Sequence, residues 1–407
     1  MKSRKIFTIL LSLLFGCFIV FSFVSCGGGG GGGGEDNGDS APAGPWLCFT
    51  ADGGNVDVKI GIYKALSVVP SLEWSSDGET WNAITIDNND WTTTPITTLP
   101  NGKRMYIRAT TTSGTFSESD DNFLCFEFDG SGKVKASGNI MSLLDKSCAS
   151  TTIPNEYCFI CLFSDCEQLI SAPELPATTL TVGCYEQMFH GCTNLATAPA
   201  LPAESLFAHC YDGMFMHCTA LTIAPELPAT TLAESCYEQM FYYCTNLTTA
   251  PGLPATTLSD YCYCFMFQDC TSLAAAPELP ATTLADHCYC SMFENCTNLT
   301  TAPALPATTL VDYCYYSMFD GCSSLITAPE LPAETLVEGC YGWMFNDCTS
   351  LTSITVHFAT AGWSVTDATD NWVGGVNATG TFYHTSALTD TAADSSKVPV
   401  GWSTHQF

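Results

Sequence analysis

Leu195-Ala-Thr-Ala-Pro-Ala-Leu-Pro-Ala-Glu-Ser-Leu-Phe-Ala-His-Cys-Tyr-Asp-Gly-Met-Phe-Met-His-Cys-Thr-Ala220 reads as one period of a repeat. Its Cys-aromatic-x-x-Met/Leu-Phe-x-x-Cys segment, here Cys210 to Cys218, returns eight times at a fixed interval of 26 residues. Phe marks the beat at Phe163, Phe189, Phe215, Phe241, Phe267, Phe293, Phe319 and Phe345, with no insertion or deletion. A strict period of this length means one supersecondary unit stacked on copies of itself, each burying its neighbour's apolar face. Such a stack offers an extended surface and no single deep pocket, which points away from catalysis.

Within the unit, Leu195 to Ala198 is a short extended run. Pro199 and Pro202 then hold the backbone extended and forbid helix. The motif Ala-Pro-x-Leu-Pro-Ala occurs seven times, from 172–177 to 328–333. Beyond it, apolar residues fall at Leu206, Cys210, Tyr211, Met214, Phe215 and Cys218, a spacing that predicts one face of an α-helix. Ser205, like Thr231 and Thr257 in other copies, stands where an N-cap is wanted. The unit is expected to be strand, Pro-rich bend and helix, making the array an α/β solenoid.

A strand-plus-helix repeat of this length is the leucine-rich-repeat signature. The segment Phe241 to Thr248, Phe-x-x-Cys-Thr-x-Leu-Thr, closely resembles the BspA-like leucine-rich repeats of bacterial surface proteins. The Leu-Pro-Ala-Thr-Thr-Leu variant is similar to longer-repeat relatives in surface lipoproteins of gut anaerobes. The resemblance covers about residues 155–356, roughly half of the chain. It implies an array of eight repeats over 155–353. The tail, 354–407, carries Trp363, Trp372 and Trp402 but no repeat, and resembles the C-terminal cap of such arrays. A cap is physically required, because the last repeat otherwise exposes its core.

Residues 46–140 read differently. Short strand-like runs such as Val56–Ile60, Met105–Thr110 and Leu124–Phe128 alternate with turn signals such as Asp77-Gly78 and Asn101-Gly102, which predicts a small antiparallel sandwich. Ser75-Ser76-Asp77-Gly78-Glu79-Thr80-Trp81 resembles the Asp-box hairpin of β-propellers, occurs once and is read as a turn. Residues 141–154, opening on an apolar Ile140–Leu144 run, are expected to form a helix capping the first repeat.

The N-terminus reads as an address label. Lys2, Arg4 and Lys5 precede an apolar stretch from Ile6 to Val24, giving a signal peptide over 1–25. Small residues before Cys26 resemble a bacterial lipobox, which implies lipidation at Cys26 and a lipid anchor at the outer membrane, expected on the cell surface. Gly27 to Gly34 and the acidic residues after it make 26–45 a flexible tether.

The chain of 407 residues holds 12 Lys+Arg against 41 Asp+Glu, a net charge of −29. Such a surface repels phosphates, so nucleic acid is excluded as a partner. No Lys or Arg occurs between Lys146 and Lys397, so trypsin has no target across the array.

Of 24 cysteines, sixteen form two ladders of period 26, Cys158 to Cys340 and Cys166 to Cys348. On helices, ladder mates of adjacent repeats would lie about 8–10 Å apart, too far for a disulfide. They are read as small buried thiols. Cys264 and Cys290 are additional and occupy the same position of adjacent repeats, so a bridge between them stays open.

No nucleophile constellation, phosphate loop or metal cluster emerges, so no catalytic, cofactor or metal residue is assigned and the chain is not expected to be an enzyme. His190, His209, His217 and His287 are scattered over variable positions and read as surface. Large residues that the core does not demand also fill variable positions. Tyr242, Tyr243, Tyr261, Tyr313, Tyr316 and Trp343 form the candidate binding surface, with Phe207, Met216 and Phe265 beside them, since aromatics anchor interfaces. Small residues such as Thr248, Thr249, Ala274, Ala275, Thr300 and Thr301 make the strand face flat. The reading is a lipid-anchored adhesin or recognition module with a protein or glycan ligand. A glycan-capture lipoprotein or a structural coat is the alternative.

Overall fold

The computed structural model describes residues 44–110 and 116–407, so the apolar leader, Cys26 and the glycine run lie outside the described residues. Eight strands precede the array: β1 (Leu47–Asp52), β2 (Val56–Ile62), β3 (Leu72–Ser75), β4 (Asn82–Ile84), β5 (Thr92–Leu99), β6 (Arg104–Ala109), β7 (Leu124–Gly130) and β8 (Lys133–Ser137). The first array strand, β9 (Leu169–Ser171), joins them, giving a sheet of order β4-β3-β6-β1-β8-β9 beside a second of order β5-β2-β7. Phe49 of β1 meets Phe126 and Phe128 of β7 edge-to-face at 5.0 and 5.1 Å, so apolar faces of the two sheets pack together. Ile140–Leu143 forms a single 3-10 turn, capped by the Asn139 side chain, instead of a longer helix.

No α-helix occurs among the described residues. The segment predicted as helical is a spiral of overlapping turns with four residues per turn. In one copy the N–H groups of Ile160, Leu162, Ser164 and Cys166 donate to the carbonyl three residues back. The alternate N–H groups, of Tyr157, Phe159, Cys161, Phe163 and Asp165, donate to carbonyls of the next repeat at 2.7–3.0 Å. Each of these backbone donors therefore has a partner without a helix. Every fourth residue takes a left-handed backbone: Tyr157, Cys161 and Asp165, then Gly183, Gln187 and Gly191, and onward with the same register. Apolar spacings of 4, 8 and 12 fit a period of 4.0 as well as they fit 3.6 over three turns, which is why the pattern suggested a helix.

The other expected elements also shrink. Ser205 and Thr231 are not helix caps; they pair with each other across repeats as a parallel bridge, as do Thr257 and Thr283. The expected strand survives as β9, as β10 (Thr327–Leu331) and as single bridges such as Ile223 to Thr249 and Ala275 to Thr301. The architecture is a β-rich, nearly non-helical solenoid, which corrects the α/β expectation.

Inside the coil run two columns of parallel rings. Phe163 to Phe345 stack at 5.5–5.8 Å between centroids. Phe159 and Tyr185 to Tyr341 stack at 5.7–6.1 Å. Phe126 stacks on Phe163 at 5.5 Å, so the core of the N-terminal sheets continues into the array as one cluster. At the far end the coil continues past the last recognisable repeat. Phe345 N–H donates to Trp372 C=O, and the Trp372 ring closes both columns at 6.2–6.4 Å. Here β10, β11 (Ser353–Val356), β12 (Thr381–His384) and β13 (Ser403–Gln406) form a parallel sheet in that order.

Candidate interaction surface

The four-residue spiral sorts side chains by position. Cys158, Phe159, Leu162, Phe163 and Cys166 and their equivalents point inward and are at most 3% exposed. The residues between them lie on the outer side of the coil, some exposed and some covered by their neighbours, and line up in columns one repeat apart. The three kinds of outward-pointing segment are chemically distinct. The strand side is small and exposed, with Thr248, Thr249, Ala274, Ala275, Thr300 and Thr301 all on the surface. The proline side carries grooves, one of ≈ 500 Å³ lined by Glu226, Pro228, Pro251, Pro254, Glu278 and Pro280. The turn side carries the aromatic rings and most of the ionisable residues.

All six aromatics singled out from the sequence fall on this turn side. Tyr261, His287 and Tyr313 occupy one column and stack at 4.7 and 4.8 Å, with Tyr316 5.6 Å from Tyr313. Tyr242 and Tyr243 form a second group with His217, at 5.5 and 5.0 Å from its ring, and His190 lies 5.7 Å further on. Trp343 stands in the same spiral near the C-terminal end. Tyr243 and Tyr261 are exposed, whereas Tyr242, Tyr313, Tyr316 and Trp343 are half-buried. Of the neighbours named with them, Phe207 is 46% exposed but Met216 is buried. The histidines are half-buried, not free surface residues, and burial lowers the pKa of His190 and His217.

Two features escaped the sequence reading. The first is an acidic column flanking the Tyr261 stack: Glu234, Asp260, Asp286, Asp312 and Glu338, all exposed and one repeat apart. Ladder bonds from Ser235, Tyr261, His287 and Tyr313 N–H to carbonyls of this column hold the two columns together. Tyr313 also donates its hydroxyl to Glu338 Oε1 at 3.0 Å. The second is an inner carboxylate column, Glu186, Asp212 and Glu238. Burial pushes the Glu186 carboxyl up to about 7, with the Asp212 charge adding to it. Asp212 and Glu238 are also raised, mainly by burial, and His209 is raised by its 3.1 Å contact with Asp212. Both columns were readable only once the outward positions of the 26-residue period were known.

The cysteines lie where core packing puts them, but not for the expected reason. Repeats stack through direct backbone hydrogen bonds with rings 5.5–6.1 Å apart, not at helix-packing distance, so spacing does not forbid bridges between ladder mates. All described cysteines are free. In the second ladder each thiol instead donates to the Phe carbonyl of the preceding unit, as Cys244 Sγ does to Phe215 C=O at 3.1 Å. Among the described residues no group of three His, Cys, Asp or Glu could hold a metal ion, and no helix is long and apolar enough to cross a membrane. The Asp-box-like turn is structural. Asp77 accepts from Glu79 and Thr80 N–H at 2.8 Å, and Arg108 lies over the Trp81 ring at 3.6 Å.

Stacked turn spirals with paired Cys columns inside and variable residues outside define a repeat solenoid. The BspA-type leucine-rich repeat region model matches residues 152–275 and 263–361 in six copies, together just over half of the chain. The chain belongs to that family. It matches no curated protein and no solved structure.

Proposed function

We propose that the chain is a lipid-anchored surface protein, not an enzyme, whose turn side binds basic, Lys/Arg-rich segments of a protein partner. The observation that carries this reading is the aromatic stack Tyr261–His287–Tyr313 running beside an unbroken exposed acidic column, in an array without Lys or Arg. Aromatic faces and carboxylates together attract cations, and complementary charge directs association.

A sugar ligand is the second reading. Rings stacked on one another offer edges and hydroxyls more than the open faces on which sugars lie, which favours protein. The count of eight repeats also belongs to this reading; it rests on the 26-residue spacing, while the family model counts six copies. Lipidation at Cys26 and display at the outer membrane rest on the leader sequence alone, and the membrane contact is through that lipid.

Binding to Lys-rich and Arg-rich peptides is expected to weaken about tenfold or more when Tyr261 and Tyr313 are both changed to Ala, because losing about 1.4 kcal/mol of interface contact is already tenfold in affinity. It should also weaken with added salt. Unchanged binding, or selective capture of glycans on an array, would replace this reading. Shaving intact cells with a non-tryptic protease checks surface display.

A further inference from the structure

The turn side holds one pair of cysteines outside the two core ladders. Cys264 and Cys290 occupy the same outward position as Glu186, Asp212 and Glu238, continuing that column into the next two repeats. Here the thiols are covered, Cys264 to 1% and Cys290 to 7% exposure. The ladder bonds Tyr263 N–H to Cys288 C=O and Phe265 N–H to Cys290 C=O, at 3.0 and 2.9 Å, hold the two cysteines in register. The flanking ring pairs Tyr263–Tyr289 and Phe267–Phe293 are each 5.7 Å apart. That repeat spacing lies inside the range a disulfide spans between its Cα atoms.

Each of the two thiols is also the largest single influence on the other's titration. The second-ladder thiols, by contrast, are committed to Phe carbonyls. We propose that Cys264 and Cys290 form a redox site, closing to an inter-repeat disulfide on exchange with a small-molecule disulfide and locking the repeats beneath the Tyr261–His287–Tyr313 stack. The Cys264 thiol stabilises a thiolate at Cys290, so Cys290 is lowered and Cys264 raised. Cys290 is also the more exposed of the two, which makes it the attacking sulfur.

With oxidised glutathione as the partner, the Cys290 thiolate attacks one glutathione sulfur and expels the other half as thiolate. Cys264, losing its proton, then attacks the Cys290 sulfur of the mixed disulfide and expels the second half. The glutathione S–S bond breaks, the protein S–S bond forms, and two glutathione thiols carry away two electrons and two protons.

The test incubates the purified chain with oxidised glutathione, blocks free thiols under denaturing conditions, and maps the chain after pepsin digestion. The expected result is a loss of two hydrogens in intact mass and a linked peptide pair containing Cys264 and Cys290. Unfolding should move to higher temperature on oxidation in the wild type and not in Cys264→Ser, whose Cys290 should instead carry glutathione. Two blocked, unlinked thiols at these positions after oxidation, or a bridge between other cysteines, would overturn the proposal. The wild-type peptide map decides it even where the variant folds poorly.

Discussion

Tyr243, Tyr261, Tyr313 and Trp343 stand at backbone positions that glycine takes elsewhere in the same columns, as at Gly183, Gly191, Gly213, Gly321 and Gly339. A left-handed backbone costs a residue with a Cβ roughly 1–2 kcal/mol, and glycine escapes that cost. The aromatic content of this side is thus held against local preference. Tyr243→Gly should be more stable than Tyr243→Ala by about 1 kcal/mol, the reverse of the order in a helix interior. Chemical denaturation of the two variants checks it, and an Ala variant more stable than the Gly variant would restore a helical reading of the segment. Gly191 shows the same preference, because its φ is 69° and an added Cβ would also run into Asp165 Oδ1.

At the scale of one element, the turn spiral is held by ladder bonds outside and by rings and thiols inside. Each stacked aromatic pair contributes about 0.5–1.5 kcal/mol beyond its area. Phe241, with a ring partner on either side at 5.7 and 5.6 Å, is fully buried. Phe241→Ala should cost about 3–5 kcal/mol, read as a fall in unfolding midpoint. The thiols should be inert, since burial pushes Cys184 and Cys236 up to about 12 and Cys210 and Cys218 well above the ordinary thiol value. N-ethylmaleimide should therefore leave the ladder cysteines unmodified in the native chain and label them after denaturation. Labelling of Cys244 at native conditions would mean that the coil opens there. The Cys-aromatic-x-x-Met-Phe-x-x-Cys pattern made these residues legible as core. It did not make their backbone legible, because side-chain burial at every fourth position is common to a helix and to a spiral of turns.

For the whole molecule, the array presents carboxylates with no Lys or Arg to neutralise them, and Lys397 at its far end pairs with Asp390 at 2.7 Å. The inner column makes stability depend on pH in a definite direction. Glu186 titrates at about 7 in the folded chain against an ordinary 4.5, so between these values the folded state binds more protons than the unfolded one. Its contribution is complete below about pH 4.5 and is lost as pH rises through about 7. The raised His209, Asp212 and Glu238 act in the same direction, and the lowered His190 and His217 offset part of it below about pH 6.5. The unfolding midpoint should rise as pH falls from 8 to 5. Glu186→Gln should flatten that rise, with a gain on the order of 1–3 kcal/mol at pH 8. A midpoint that is flat or falls over this range would contradict the burial of the column.

What the sequence determined by itself is the stacking: a 26-residue phase kept without insertion leaves only a solenoid, and the invariant Phe, Tyr and Cys positions can only be its core. What only the tertiary structure decided is the path of the chain between those positions and the grouping of the variable ones. Whether a donor closes a turn or reaches a carbonyl in the next repeat depends on a neighbour that exists only after stacking. For the same reason Tyr261, His287 and Tyr313, each 26 residues from the next, become one stack beside one acidic column, and Cys264 and Cys290 fall into register in adjacent repeats.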